Sequence, residues 1–288
     1  MKAYPDCIPC LLKFTTDTAK KATSNTDLLQ EISLEGLRII LEHGFAAMPP
    51  QIAQAINRMI KEKTGVNDPY RKDRQDHNHL AMRLYPSLKG EIRNAPDPLR
   101  AALRAAAAGN RIDSVCLDEG VDVRGAIQRS LTEDFGIDHH EEIKEALRTA
   151  STLLFVGDNA GEIVFDKVLI EEIQRHHPQL TVTYVVKGGP IINDATMDDA
   201  REVGMEDVAE VIANGDDAPG TILDQCCTEM RELFQKANVV MVKGQGNFET
   251  LEEEKRDRVF FLLQVKCPVI AQHIGTQVGD LALYCKPS

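Results

Sequence analysis

TLLFVGDNAGE, residues 152–162, is an apolar run that stops at a glycine, an acid–amide pair and a second glycine, after which a new apolar stretch begins. A run apolar at nearly every position is how a strand reads when helices cover both faces of a parallel sheet. The polar segment after it is then the loop at the strand's carboxyl end, and EIVFDKVLIEEIQRH (162–176) is the returning helix. Outward from this unit the pattern repeats. Strands are predicted at Val182–Val186, Val208–Ile212, Val239–Val242, Val269–Gln272 and Leu281–Tyr284, with helices near 162–176, 196–203, 221–236 and 250–265. Together they predict an α/β fold: a three-layer αβα, Rossmann-like, doubly wound and mostly parallel sheet of six strands.

Before residue 150 the texture is helical. Leu28, Ile32, Leu37, Ile40 and Leu41 recur near the 3.6-residue period, as do Ile52, Ala55, Ile56, Met59 and Ile60, with Pro49-Pro50 between the two helices. A further helix is expected from Pro98 to Ala108, stopped by Gly109-Asn110. The division expected is a mainly helical domain over 1–115 and an α/β catalytic domain over 116–288, with 116–150 as a helical connection.

Composition narrows the function classes. The 288 residues are 43% apolar, enough for a sizeable core, and carry a formal net charge of -12. That charge disfavours nucleic acid and anionic membrane surfaces as partners. The opening MKAYPDCIPCLLKF lacks a signal-peptide h-region, and no apolar stretch approaches the roughly 18–20 residues of a membrane helix, so a cytoplasmic location is expected. Seven cysteines, an odd number, do not read as a disulfide framework. Cys7 and Cys10 have the spacing of half a zinc site, which His77 and His79 or His139 and His140 would have to complete; packing is the favoured role. Homo-oligomerisation is left open.

Four of the predicted strands run into polar, glycine-containing loops: 157–162, 187–196, 214–221 and 243–250. In an open parallel sheet such loops share the carboxyl edge, where ligands bind at the reversal of strand order. They bring together Asp158, Asn159, Asn193, Asp194, Asp216 and Asp217 with Lys187 and Lys243. Hard oxygen donors suit Mg, Mn, Co or Ni, and glycine-rich turns before helices suit a phosphate. Phosphoryl transfer or hydrolysis is the reaction class, with no nucleotide cofactor.

FVGDNAGEIVFD (155–166), GGPIINDAT (188–196), ANGDDAPGT (213–221) and VKGQGNFETL (242–251) resemble the signature motifs of the damage-control phosphatases. The likeness extends to Asp68-Pro-Tyr-Arg-Lys72, to AGNRID (108–113) and to the Cys7/Cys10 pair, and the short length is similar to the prokaryotic branch. It implies a divalent-metal phosphatase for small phosphorylated metabolites such as sugar phosphates, with a helical bundle beside the αβα domain. It also implies metal ligation by Asp158, Asn159 and Asp194, with Asn193 the competing choice for the last position. Lys243 matches a phosphate-contacting position, and Gly244 and Lys187 belong with it. Asn247 and Glu249 are candidates for orienting the lysine or a water. One of Asp216 and Asp217, the latter on the phosphate side, is expected to line the site. The likeness alone brings in Asn110 and Asp113 from the helical part. The nucleophile stays open between water and a loop carboxylate. A haloacid-dehalogenase mechanism would need an acid where Ala160 stands. An adenosylmethionine-dependent methyltransferase would usually want an acid where Lys187-Gly188 stands, and a non-catalytic sugar-phosphate sensor is the other rival. The DPYR segment, with Arg71, Lys72 and Arg74, reads as a solvated basic turn.

Overall fold

The computed structural model describes residues 1–116, 125, 129 and 131–286, and of 110–116 only the helical backbone. Five helices come first: α1 (Cys7–Ala22), α2 (Thr26–His43), α3 (Pro49–Thr64), α4 (Arg71–Arg93) and α5 (Pro98–Cys116). There follow β1 (Phe135–Asp138), α6 (His140–Thr149), β2 (Thr152–Val156), α7 (Glu162–His176), β3 (Thr181–Val186), α8 (Met197–Glu202) and β4 (Glu210–Ala213). The last elements are α9 (Thr228–Lys236), β5 (Val239–Lys243), α10 (Gln245–Leu251), β6 (Val259–Gln264), α11 (Pro268–Ile274) and β7 (Leu281–Cys285). No described helix is long and apolar enough to cross a membrane.

The sheet is mostly parallel, as expected, but has seven strands, in the order β1-β7-β6-β5-β2-β3-β4. Among the described strands only β6 and β7 pair antiparallel. The chain winds outward from β2 through β3 to β4, then returns to β5 on the other side of β2. The order therefore reverses between β2 and β5, and a crevice opens there at the carboxyl edge.

Alternation along each central strand feeds two cores. Leu153 and Phe155 of β2, Met241 of β5 and Leu262 of β6 point into one, with α5, α6 and α7. Leu154, Val156, Val242 and Phe261 point into the other, against α9, α10 and α11. A third core belongs to α1–α3 and is built from Leu11, Ile32, Ile40, Ile52, Ile56 and Ile60.

Several expectations are corrected. The helix expected over 250–265 is two elements: α10 ends at Leu251 and 259–264 is strand β6. The acids at 252–254 extend a helix-like pattern, but the chain turns through Arg258 at φ 56 and the apolar VFFLLQ enters the sheet between β5 and β7. Val269–Gln272 is not a strand but lies in α11, whose start carries Pro268 in the first turn, where its missing N–H costs nothing. The helix expected over 221–236 begins only at Thr228, after a short 3₁₀ turn, and β4 starts at Glu210 because Val208 closes the preceding turn. The short β1 was not anticipated: only Phe135 of its four residues is buried.

Gly109 does not stop α5, which runs to Cys116. A Cβ there would lie 3.4 Å from Glu162 and Phe165, so this glycine lets α5 approach α7 closely. Leu88 and Ile92 of α4 and the alanines 101–108 of α5 are buried in the core shared with the sheet. The core consequently does not divide at residue 115; the separate helical core is that of α1–α3.

Candidate active site

The loops after β2 and β3 are stitched together by their backbones. Ala195 N–H donates to Asp158 O at 2.8 Å, Ala160 N–H donates to Asn193 O at 2.8 Å, and Asn159 bridges Asp194 in antiparallel fashion. Asp158, Asn159 and Asp194 are thereby placed side by side, and Asp194 Oδ2 stands 3.5 Å from Lys187 Nζ. Gly244, first residue after β5, completes the crevice. Its φ is 79°, and a Cβ there would stand 1.9 Å from Asp158 Oδ2, so only glycine leaves Asp158 its room.

Two acids that the sequence reading did not single out, Glu162 and Asp166, stand one turn apart on α7. Both are buried, Asp166 completely. Asn159 Nδ2 donates to Asp158 Oδ2 at 3.0 Å and to Glu162 Oε1 at 2.7 Å. With its amide donors engaged by two acids, its oxygen is the atom offered to a cation. Lys243 Nζ, 1% exposed, donates to Asp166 Oδ1 at 2.7 Å and Glu162 Oε2 at 3.2 Å. Tyr184 Oη donates to Asp166 Oδ2 at 2.8 Å. The only sequence signal for the pair was acids spaced four apart, which a helix puts on one face, in EIVFDKVLI, apolar but for these acids and Lys167.

Burial, then Asp194 and Glu162, push the Asp158 carboxyl above its ordinary value. Asp194 is raised by burial against the opposing pull of Lys187. Burial would raise Glu162, but Lys243, then Lys266 and Asn159, outweigh it and hold the carboxyl below its usual range. Burial lifts Asp166 to about 6, with Lys243 opposing.

Lys187 and Asn247 tie the remaining loops together. Lys187 Nζ donates to Gly220 O at 2.6 Å and Asn247 Oδ1 at 3.1 Å, and stands 3.5 Å from Asp194 Oδ2. Asn247, fully buried, donates to Gly157 O at 2.9 Å and Lys243 O at 2.8 Å while accepting from Thr221 Oγ1 at 2.8 Å. Its hydrogen-bonding capacity is filled by four groups from separate loops.

Other expected site residues lie elsewhere. Asp217 is held by Arg58 at 2.6 Å, Gln54 at 3.0 Å and Lys61 at 3.4 Å, all from α3, and Asp216 Oδ1 accepts from Gln54 at 2.6 Å. Glu249 faces a cavity of about 220 Å³ with Cys7, Cys10 and Cys267, separate from the void beside Asp158 and Glu162. Burial pushes Glu249 up to about 7. Of the histidines proposed to join Cys7 and Cys10, His79 pairs with Glu202, His140 stands 3.6 Å from Asp97 and His139 accepts from Cys285 N–H. The side chains of Asn110 and Asp113 lie outside the described residues. Arg74 is not solvated: it is 4% exposed and forks onto Asp68 with two bonds of 2.8 Å.

Among the described residues no three His, Cys, Asp or Glu side chains converge as a metal cage. The donor set at the crevice is two carboxylates and an amide, Asp158, Asp194 and Asn159. Asp194 Oδ2 is buried without a hydrogen-bond partner among the described residues, its distance to Lys187 being that of an ion pair alone. Buried polar atoms are seldom left so, and hard oxygen donors with an unused lone pair fit a small divalent cation. The void beside Asp158 and Glu162, about 10 Å³, is at the lower limit for a single water-sized occupant.

The fold and this crevice define an α/β protein with a carboxylate-and-amide site at the strand-order reversal. The chain belongs to the damage-control phosphatase ARMT1-like domain family, whose model matches residues 3–282. It is 34% identical to a damage-control phosphatase of Archaeoglobus fulgidus, covering 98% of both chains. It is 31% identical to a damage-control phosphatase of Pyrococcus horikoshii, over 98% of this chain and 97% of the other. A crystal structure of a DUF89 family protein from Pyrococcus horikoshii superposes with a TM-score of 0.91 at 30% identity, covering 99% of each chain.

Proposed function

We propose that this chain is a divalent-metal-dependent phosphomonoester hydrolase acting on small phosphorylated metabolites, sugar phosphates among them. The observation that carries the reading is the convergence of Asp158, Asn159 and Asp194 at the strand-order reversal, where Asp194 Oδ2 has an ion pair with Lys187 but no hydrogen bond among the described residues. These three would hold a Mg, Mn, Co or Ni ion. Such an ion, when bound, supplies Lewis acidity toward a phosphoryl oxygen and lowers the pKa of a water. The chain's own groups do the rest. Lys243 keeps Glu162 and Asp166 ionised and fixed, so that Glu162 in turn orients Asn159. Lys187 sets the charge beside Asp194, and Asn247 holds the loops so that no reorganisation is needed as charge develops. Membership in a phosphatase family favours this reading over the methyltransferase and sensor alternatives.

The test is release of phosphate from p-nitrophenyl phosphate and from a panel of sugar phosphates by chelator-treated protein resupplied with each metal. Turnover should require metal and fall at least about a hundredfold in Asp158→Asn, the scale on which removal of a group acting in the transition state is felt. Metal-independent turnover, or equal rates in the variant, would overturn the proposal.

A further inference from the structure

Asn78 lies on α4, outside the sheet, yet its side chain reaches the loop that carries Asp158 and Asn159. It is completely buried, and its Oδ1 accepts from Gly161 N–H at 2.8 Å. Its Nδ2 donates to Asp199 Oδ1 at 2.9 Å and Glu202 Oε2 at 2.8 Å. Only this amide orientation works, because the reverse would set a carbonyl against two carboxylates and two N–H donors against a third. One turn earlier on the same helix face, Arg74 Nε donates to Asp199 Oδ2 at 3.0 Å. Asp199 is in the first turn of α8, where that same oxygen accepts from Thr196 N–H at 2.9 Å and Thr196 Oγ1 at 2.7 Å. Thr196 follows Asp194 by two residues. One face of α4 therefore grips both metal-bearing loops, that after β2 through Gly161 and that after β3 through Asp199.

We propose that Asn78, supported by Arg74, is a positioning residue that sets the separation of the Asp158–Asn159 pair from Asp194 and so tunes the affinity of the site for its cation. The inference rests on the proposed metal role of those three residues. Outer partners of ligand-bearing groups typically change metal affinity ten- to a hundredfold when lost. Asn78→Ala leaves Gly161 N–H without its acceptor, and the two loops lose their common anchor.

The experiment is calorimetric titration of Mn²⁺ into chelator-treated full-length protein, with metal-free thermal unfolding measured alongside. Asn78→Ala should bind Mn²⁺ at least about tenfold more weakly. Glu202→Gln, at the rim of the network, keeps the fold and should bind about threefold more weakly, the scale of one weakened hydrogen bond. A role in folding alone would lower the metal-free midpoint and leave the Mn²⁺ affinity of the folded protein unchanged, which overturns the inference. If Asn78→Ala does not fold, unchanged affinity in Glu202→Gln overturns it as well. A wild-type protein that takes up no Mn²⁺, or Asp158→Asn binding as the wild type does, overturns the metal reading of the site and this inference with it. Weaker binding in both variants beside a wild type that binds supports it.

Discussion

Lys243→Met removes the cation between two buried carboxylates while keeping a side chain of similar length. In the wild type, Nζ is 2.7 Å from Asp166 and 3.2 Å from Glu162, and all three groups are nearly or wholly inaccessible to water. Breaking a buried ion pair by deleting one partner typically costs about 3–5 kcal/mol, because the surviving charge is left uncompensated. Here two charges survive, so the upper part of that range is expected at pH 8. The sign of the pH dependence follows from the same groups. Burial already raises Asp166 to about 6, with Lys243 holding it down, and Glu162 is low chiefly because Lys243 overcomes its burial. Without the lysine both acids move up. An acid raised in the folded state contributes stability that is present at low pH and lost as pH climbs through the folded value. The deficit should therefore narrow by on the order of 1–2 kcal/mol between pH 8 and pH 5.5, at 1.36 kcal/mol per pKa unit. Urea unfolding at the two pH values measures it, and the double variant Lys243→Met/Asp166→Asn should recover about half of the loss. A single variant within 1 kcal/mol of wild type at pH 8 would refute the reasoning, as would a deficit that grows on acidification.

Glu249, raised by burial to about 7, holds its proton in the folded state below that pH and loses stabilisation as pH rises from its unfolded value near 4.5 to about 7. Relative to Glu249→Gln, wild type should lose on the order of 3 kcal/mol across that window and nothing further above it; parallel unfolding free energies at pH 5 and pH 8 would contradict this. Asn247→Ala takes one acceptor from Lys187, leaves Thr221 Oγ1 without its acceptor and two carbonyls without this donor, and should lower the unfolding free energy by about 3 kcal/mol, read by denaturant titration. Gly244→Ala places a methyl carbon on Asp158 Oδ2 at a positive φ; it should abolish metal-dependent phosphate release while the far-UV circular dichroism stays that of the wild type.

The sheet was legible where apolar runs ended at glycine-bearing loops, as at Phe155-Val156-Gly157, because a buried parallel strand and its loop contrast sharply in polarity. It was illegible at 250–265, where acids followed by an apolar run satisfy a helical pattern and only pairing with β5 and β7 makes Val259–Gln264 a strand. The loops themselves offered six oxygen donors, and it was the likeness to the damage-control phosphatases that picked Asp158, Asn159 and Asp194 from among them. Glu162 and Asp166 were harder to see: an acid in the first turn of a helix has an ordinary reason to be there, namely the helix dipole. Asn78 and Arg74 were out of reach. Their partners are 83 and 125 residues away, and nothing local in DPYRKDRQDHNH separates a buried network from a solvated helix face.

Ile32, Ile52 and Ile56 pack among themselves, whereas α4 and α5 are internal to the sheet's own core. The three-helix unit meets the loops after β3 and β4 through Gln54, Arg58 and Lys61 of α3, while Leu11, Phe14 and Pro50 share a cavity with Glu249 and Val269. The apolar packing that holds α1–α3 together is thus separate from that beneath the loops carrying Asp158 and Asp194.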